Sequence, residues 1–442
     1  MKRTVLLFLV YLCTVLSYAQ DLKPCGTAML AKRHKAQSSI TRQSSQEEIR
    51  HFEGDKKGLI ILVEFQDIHF ASEDPLQTWT DIANKPGYVD KDGFGIGSVS
   101  DYFQDQSYGK FKLTFDVVGP VKAAHNHEYY GENIDWGPPT GWFDKNVGEL
   151  VEEACKGVAD KVNFADYDWD NDGEVEQVFL LYAGRGENDY ARKDSAVIWP
   201  HMASLMLDWE GYEKGVVLQG KRINVYACSN EIISNVMFPH LAGIGTFCHE
   251  FSHCLGLPDL YDTKRGDSVL GDYDLMDYGL YFGEGWRPVG YSSYERYCCG
   301  WLDPAPIDNP AGITSLLPLH TNPDARIYRS SKDANDYYLI EYRQKAESSW
   351  DKFYPKTGLQ AWHIDYDKEV WMNNEVNNDP NHLRVERMTV GNIPTAIADI
   401  SSDDKQIIGV YDLHGRPADA SSSRFQIIRY SDGTSQKKMA TM

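Results

Sequence analysis

The sequence predicts an α/β (α+β) domain built on a twisted mixed sheet, followed by an all-β extension. Three observations predict it. Residues 58–65, G-L-I-I-L-V-E-F, form a β-branched apolar run of the kind found in a strand buried on both faces. Val147, Leu150, Val151, Ala154 and Val158 fall at helical spacing, which predicts a long amphipathic helix packed on that sheet. Between 307 and 366 the chain alternates strand-like segments, notably 337–342 and 358–364, with Pro, Gly and Asn breaks.

Taken in order, residues 1–19 read as a secretory signal. Lys2 and Arg3 precede an apolar run from Val5 to Leu16, and Ser17-Tyr18-Ala19 precedes Gln20. The run is too short and wrongly flanked for an anchor, Cys13 lacks the small residue expected before a lipidated cysteine, and no later segment approaches the ~20 apolar residues that span a bilayer. The expectation is a secreted protein, extracellular or at the cell surface, with no transmembrane anchor. Its net charge of −21 argues against nucleic acid or an anionic membrane as partner, and grows more negative once Lys2 and Arg3 leave. The seven cysteines after the signal are odd in number and irregularly spaced, so no disulfide scaffold and no pairing is assigned. Residues 20–57 are polar and predict a flexible or propeptide segment.

Beyond the 58–65 strand, a helix is expected at 99–106 and a strand at 111–118. Then comes D-W-D-N-D-G-E-V-E at 168–176. Alternating carboxylates ending in Asp-Gly wrap oxygen ligands around one hard cation, so calcium (Ca2+) is the expected occupant. The side chains of Asp168, Asp170, Asp172 and Glu176, with the Glu174 carbonyl, are the candidate ligands. The twelfth loop position is Phe179, not the glutamate of a full EF-hand, and the competing reading is a solvated acidic turn. Residues 178–183 then read as a strand.

The densest chemistry lies in T-F-C-H-E-F-S-H-C-L-G-L-P-D, residues 246–259. His249 and His253 are four apart, so on a helix both imidazoles leave one face, with Glu250 beside them. A catalytic zinc (Zn2+) takes three nitrogen or carboxylate ligands and keeps a fourth position for water, whose pKa falls toward ~7. Glu250 would accept that proton without ligating. Gly256 lets the chain leave the helix and turn sharply, and Asp259 follows Pro258, a candidate third ligand. The competing reading is a core helix that happens to carry two histidines, since Ile244, Phe247, Cys248, Phe251 and Leu255 form an apolar stripe. Cys248 and Cys254 are expected to pack rather than ligate.

Further on, D-L-M-D-Y-G at 274–279 offers a methionine in a turn and a tyrosine two residues later. Here the chain resembles the metzincins, whose H-E-x-x-H-x-x-G-x-x-H motif is followed by a Met-turn beneath the zinc; Asp259 stands where most of that clan has a histidine. With L-G-L-P-D-L-Y-D-T at 255–263 the resemblance narrows to the immune inhibitor A family of secreted metallopeptidases, over roughly 58–367. It implies a metzincin-like zinc peptidase domain at 58–305 hydrolysing peptide bonds of proteins. Glu250 would be general base and then acid, Tyr278 would stabilise the oxyanion, and Met276 would underpin the site. A strand bordering the cleft, 178–183 or 223–228, would pair with extended substrate. Cys25 could ligate the zinc and hold the enzyme latent, though an unpaired cysteine is ordinarily without such a role.

A helix is expected within 291–301 and a β-rich extension at 306–392, where strand structure accounts for His363 and Asp365. The tail at 393–442, with G-V-Y-D-L-H-G-R and F-Q-I-I-R-Y-S-D-G, resembles the end of a type IX secretion sorting domain, which implies secretion machinery as a partner; a terminal hairpin is the alternative. Two rival functions stand beside the main one. One is a thermolysin-like zinc peptidase whose third ligand is a later glutamate such as Glu295. The other is a calcium-dependent adhesin or binding module on a decayed protease scaffold, against which the intact Glu250 counts.

Overall fold

A strand that is apolar on both faces needs a core on each side, and the main sheet has two. The computed structural model describes residues 49–135, 142–189, 196–234, 239–330 and 333–393, and beyond them the backbone of three strands in the tail. The signal at 1–19, Cys25 and most of the 20–57 segment lie outside the described residues, as does much of the tail.

The main sheet comprises β1 (Gly54–Glu64), β2 (Phe111–Lys122), β3 (Val178–Arg185), β4 (His201–Ser204), β5 (Val225–Ser234) and β6 (Pro239–Leu241). β1 lies between β2 and β3, parallel to both, and β5 runs parallel on the far side of β3. β4 and β6 pair antiparallel with the two ends of the outer side of β5, so the sheet is mixed. Alternation along β1 splits its side chains between the two cores. Ile60 and Leu62 pack with Phe179, Leu181, Phe247 and Phe251 on one face; Leu59, Ile61 and Val63 pack with Leu150, Val151, Ala154 and Leu180 on the other.

Five helices position this framework. α1 (Pro75–Asn84) begins where Asp74 accepts a hydrogen bond from Gln77 N at 3.0 Å ahead of Pro75, a start signal local to the sequence. α2 (Val99–Gln106) has a capping box between Ser98 and Asp101. α3 (Val147–Val158) is the predicted amphipathic helix. α4 (Gly245–Cys254) carries the two histidines across the opposite face, and α5 (Ser293–Cys298) follows. Among the described residues no helix is long and apolar enough to cross a membrane.

The extension holds a second sheet of β7 (Ala305–Pro306), β8 (Arg326–Arg329), β9 (Asp336–Arg343), β10 (Gly358–Asp365) and β11 (Val385–Met388), in that order. It is β-rich rather than all-β, because Asp367 caps a further helix, α6 (Lys368–Met372), between β10 and β11. Leu339, Trp362 and Ile364 share one core with Phe247 and Phe251, and the described residues through Ile393 form one compact unit. In the second unit, Pro394–Met442, the strands Ile407–Tyr411, Phe425–Tyr430 and Ser435–Met439 form an antiparallel sheet.

β9 meets the chain before α5 through a buried polar seam. Arg343 donates to the Gly290 and Tyr291 carbonyls at 2.7 Å each and to Asp351 Oδ1 at 2.8 Å, with its guanidinium over the Tyr354 ring. Ser293 N donates to Glu341 at 2.6 Å. Removing one partner from such a buried set strands the others in a dry site. Arg343→Ala should therefore cost about 3–5 kcal/mol in urea unfolding; a loss within ~0.5 kcal/mol, usual for surface changes, would show that the seam does not hold the two segments together.

Candidate metal centre

α4 ends in a Schellman turn. Gly256 N donates to His253 O and Leu257 N to Ser252 O, with Gly256 at φ 89°. That conformation belongs to glycine and swings the chain back under the helix. His249, Glu250 and His253 are all buried, which is costly for polar side chains unless something occupies their polar atoms.

Backbone carbonyls hold both rings. His249 Nδ1 is 2.8 Å from Leu275 O and His253 Nδ1 is 2.7 Å from Leu257 O. A carbonyl only accepts, so each Nδ1 carries a proton and each ring turns its Nε2 into the site. The rings stand nearly perpendicular, centroids 4.9 Å apart. Asp259 Oδ1 lies 3.1 Å from His249 Nε2 and 3.3 Å from His253 Nε2. Ligands about 2.0–2.2 Å from a tetrahedral zinc are spaced roughly 3.3–3.6 Å from one another. The two distances from Asp259 Oδ1 lie close to that spacing. Burial alone would raise the Asp259 carboxyl, but the imidazoles, His253 foremost, outweigh it and hold it below the usual range. Glu250 completes the group, offering an oxygen within 4.8 Å of both histidine donors.

The Met-turn reaches both ligand-bearing segments. Leu275 O orients His249, and Met276 O accepts from Leu260 N at 2.9 Å, one residue past Asp259. Met276 is fully buried. Tyr278 is half-buried, its hydroxyl 3.5 Å from Gly266 O in the loop after Asp259. Glu295 does not join the histidines: its Oε2 accepts from Ser292 N at 2.6 Å, capping its own helix.

One residue of this site was missed. Asn374 Oδ1 accepts from Asp259 N at 2.7 Å while its Nδ2 donates to Asp259 Oδ2 at 2.6 Å. The only sequence signal was an Asn-Asn pair just after α6, in a stretch that reads simply as polar.

The strands proposed to border a cleft are not edges. β3 is flanked by β1 and β5 at 178–182, and β5 by β3 on one side and at 225–228 by β4 on the other. Among the described residues the outer strand nearest α4 in sequence is β6, too short and polar to be read as a strand from sequence. A cavity of about 510 Å³ borders His253 and Asn374 but not His249, Glu250 or Tyr278.

In the acidic loop, oxygens of Asp168, Asp170 and Glu176 come within 4.8 Å of one another. Asn171 and Gly173 take positive φ, 64° and 97°, to make the turn. Asp172 Oδ1 instead accepts from Glu174 N, and the Glu174 side chain accepts from Asn224 at 3.0 Å. Lys221 Nζ sits 2.5 Å from Asp168 Oδ2. Burial pushes Glu176 up to about 7. His363 bonds Asp336 across β9 and β10, and Asp365 pairs with His382 and Arg384, consistent with a strand role for both. All six described cysteines are free; Cys248 is packed in the core, as expected.

The catalytic-domain profile of the immune inhibitor A peptidase M6 family matches residues 53–299, more than half of the chain. The pre-pro-metalloprotease PrtV of Vibrio cholerae serotype O1 is 26% identical over 315 residues, which cover 61% of this chain and 33% of PrtV. Immune inhibitor A of Bacillus thuringiensis subsp. alesti is 24% identical over 280 residues, 54% of this chain and 39% of its own. The chain therefore spans only a third to two-fifths of the length of these relatives.

Glu295 supplies a pH test. Burial, and then the nearby Asp274 carboxylate, raise it well above its ordinary range. A carboxyl raised on folding favours the native state below its unfolded pKa, and that contribution is lost as pH climbs above it. Thermal melts should thus fall between pH 5 and pH 8 more steeply in the native protein than in Glu295→Gln, which keeps the cap. Equal slopes would remove Glu295 as a source of pH dependence, and zinc lost on this substitution would revive the thermolysin-like ligand set.

Proposed function

The chain belongs to the immune inhibitor A (peptidase M6) family of metallopeptidases, and from that premise we propose that it is a secreted, zinc-dependent endopeptidase acting on proteins or peptides. The observation that carries this reading is the approach of one Asp259 oxygen to two inward-facing imidazole nitrogens, with Glu250 alongside. His249, His253 and Asp259 would hold the ion, which when bound would lower the pKa of a water and polarise the scissile carbonyl. Glu250 would take the proton from the attacking water and return it to the leaving amine. Tyr278 is assigned the hydrogen bond to the developing oxyanion, on its position two residues past Met276 in a turn that also orients His249. Met276 supports both ligand segments from beneath. Secretion is inferred from the 1–19 signal, and the sorting-like tail would engage export machinery.

We assign calcium to Asp168, Asp170 and Glu176, with Asp172 and the Glu174 carbonyl as the remaining candidates. Three converging carboxylates repel one another without a cation. Lys221 already neutralises Asp168 in part, so calcium would have to displace or share that contact.

Glu250→Gln removes the base and none of the ligands. Casein hydrolysis should fall by orders of magnitude with zinc content unchanged, and Asp259→Ala should lose most zinc and all activity. Near-normal turnover in Glu250→Gln would end the mechanism, and casein cleavage indifferent to a chelator would end the metal reading. For calcium, a chelated, zinc-restored sample should melt several degrees higher when calcium is added, since saturation at 100 times Kd contributes about 2.7 kcal/mol; Asp170→Ala should abolish that rise. An unmoved melting temperature in the native protein would refute the site.

A further inference from the structure

We propose that Asn374 is a positioning residue of the metal centre: it aims Asp259 at the histidine pair. The inference rests on the zinc reading above and adds to it a residue 75 positions beyond the segment that the family profile matches.

A carboxylate rotates easily about its last torsion and has two equivalent oxygens. Facing two imidazoles, Asp259 could present either oxygen or both. Asn374 removes that freedom through a reciprocal pair: its carbonyl accepts from Asp259 N at 2.7 Å, fixing the backbone, and its amide donates to Oδ2 at 2.6 Å, fixing the side chain. Only Oδ1 is left facing the Nε2 atoms, at 3.1 and 3.3 Å. Amide orientation is settled by the partners, since Asp259 N–H only donates and an ionised carboxylate only accepts. The amide is also the right chemistry for the task. It neutralises part of the charge on Oδ2 without competing for the ion, as a second carboxylate would, and without pairing Asp259 away from it, as a lysine would.

Asn374 is itself held. It occupies φ 53°, a left-handed conformation that asparagine tolerates better than most residues, and its N–H closes a turn onto Trp371 O at 3.0 Å. Trp371 Nε1 in turn donates to the Tyr294 hydroxyl of α5 at 2.7 Å. Asn374 O accepts from Thr263 at 2.8 Å, and Asn377 Nδ2 donates to Leu260 O at 2.8 Å. The ligand loop is thus tied at Asp259 and at two residues after it, Leu260 and Thr263, to one short segment between α6 and β11. Partners that orient metal ligands in this way are typically worth 10–100-fold in metal affinity.

Two variants of the full chain test this, with zinc affinity read by competition against a chromophoric chelator and the metal-free melting temperature as control. Asn374→Gly keeps the left-handed backbone and loses both side-chain bonds; its zinc affinity should fall 10–100-fold. Asn374→Asp keeps the shape and the acceptor for Asp259 N but sets a carboxylate against Oδ2. Its affinity deficit should be larger at pH 8 than at pH 6, where a shared proton restores the donor. A residue that merely packed would lower the metal-free melting temperature and give an affinity deficit with no such pH dependence, and that result overturns the proposal. So does affinity within twofold of the native protein in Asn374→Gly or, should that variant not fold, in Asn374→Asp at pH 8. Native protein that takes up no zinc overturns the function and this inference together, whereas native uptake with unaffected variants overturns this inference alone.

Discussion

One carboxylate oxygen held within 3.3 Å of two imidazole nitrogens in a buried site is the constraint on which the rest of this structure depends. Left to themselves, two imidazoles and a carboxylate would turn outward to water or take up protons. They stay because each is held by a backbone group or a side chain: Leu257 and Leu275 carbonyls for the rings, Asn374 for the acid. Those groups come from a helix cap, a turn and a loop far apart in the chain, and one core, which holds Leu257, Leu260, Leu275, Met276 and Val376, brings them together.

The packing explains how so much polarity is tolerated at the centre. α4 lays Phe247 and Phe251 on Phe115, Phe179 and Phe103, with Phe179 stacked on Phe247 at 3.7 Å. This aromatic wedge fixes the helix rotation about its axis, so the histidines have one direction in which to point. On the next turn, Ser252 hydrogen-bonds both Cys248 O and the Tyr291 hydroxyl, and Tyr291 O accepts from Arg343. The helix is thereby coupled to the polar seam that carries the second sheet.

Much of this was legible because it is local. The helix at 99–106, the amphipathic helix at 147–158 and the strand at 178–183 follow from periodicity and caps, and the H-E-x-x-H spacing with Gly256 places the site residues on one turn of chain. What could not be read depends on contacts between distant residues. Whether a strand is an edge is a property of its neighbours, so nothing within residues 223–228 revealed that β4 covers 225–228. Lys221 meets Asp168 across 53 residues, and no local pattern joins a lysine to an acidic loop. α6 was hidden because a five-residue helix has too few positions to display a period, leaving only the Asp367 cap as its sign.

Asp259 and Asn374 are separated by 115 residues of chain. During synthesis the histidine pair and the acid therefore emerge well before the amide that pairs with Asp259. A chain halted anywhere in that interval carries the whole recognisable motif with its third donor still free to rotate. Alignment of these three side chains is in this sense timed by chain length.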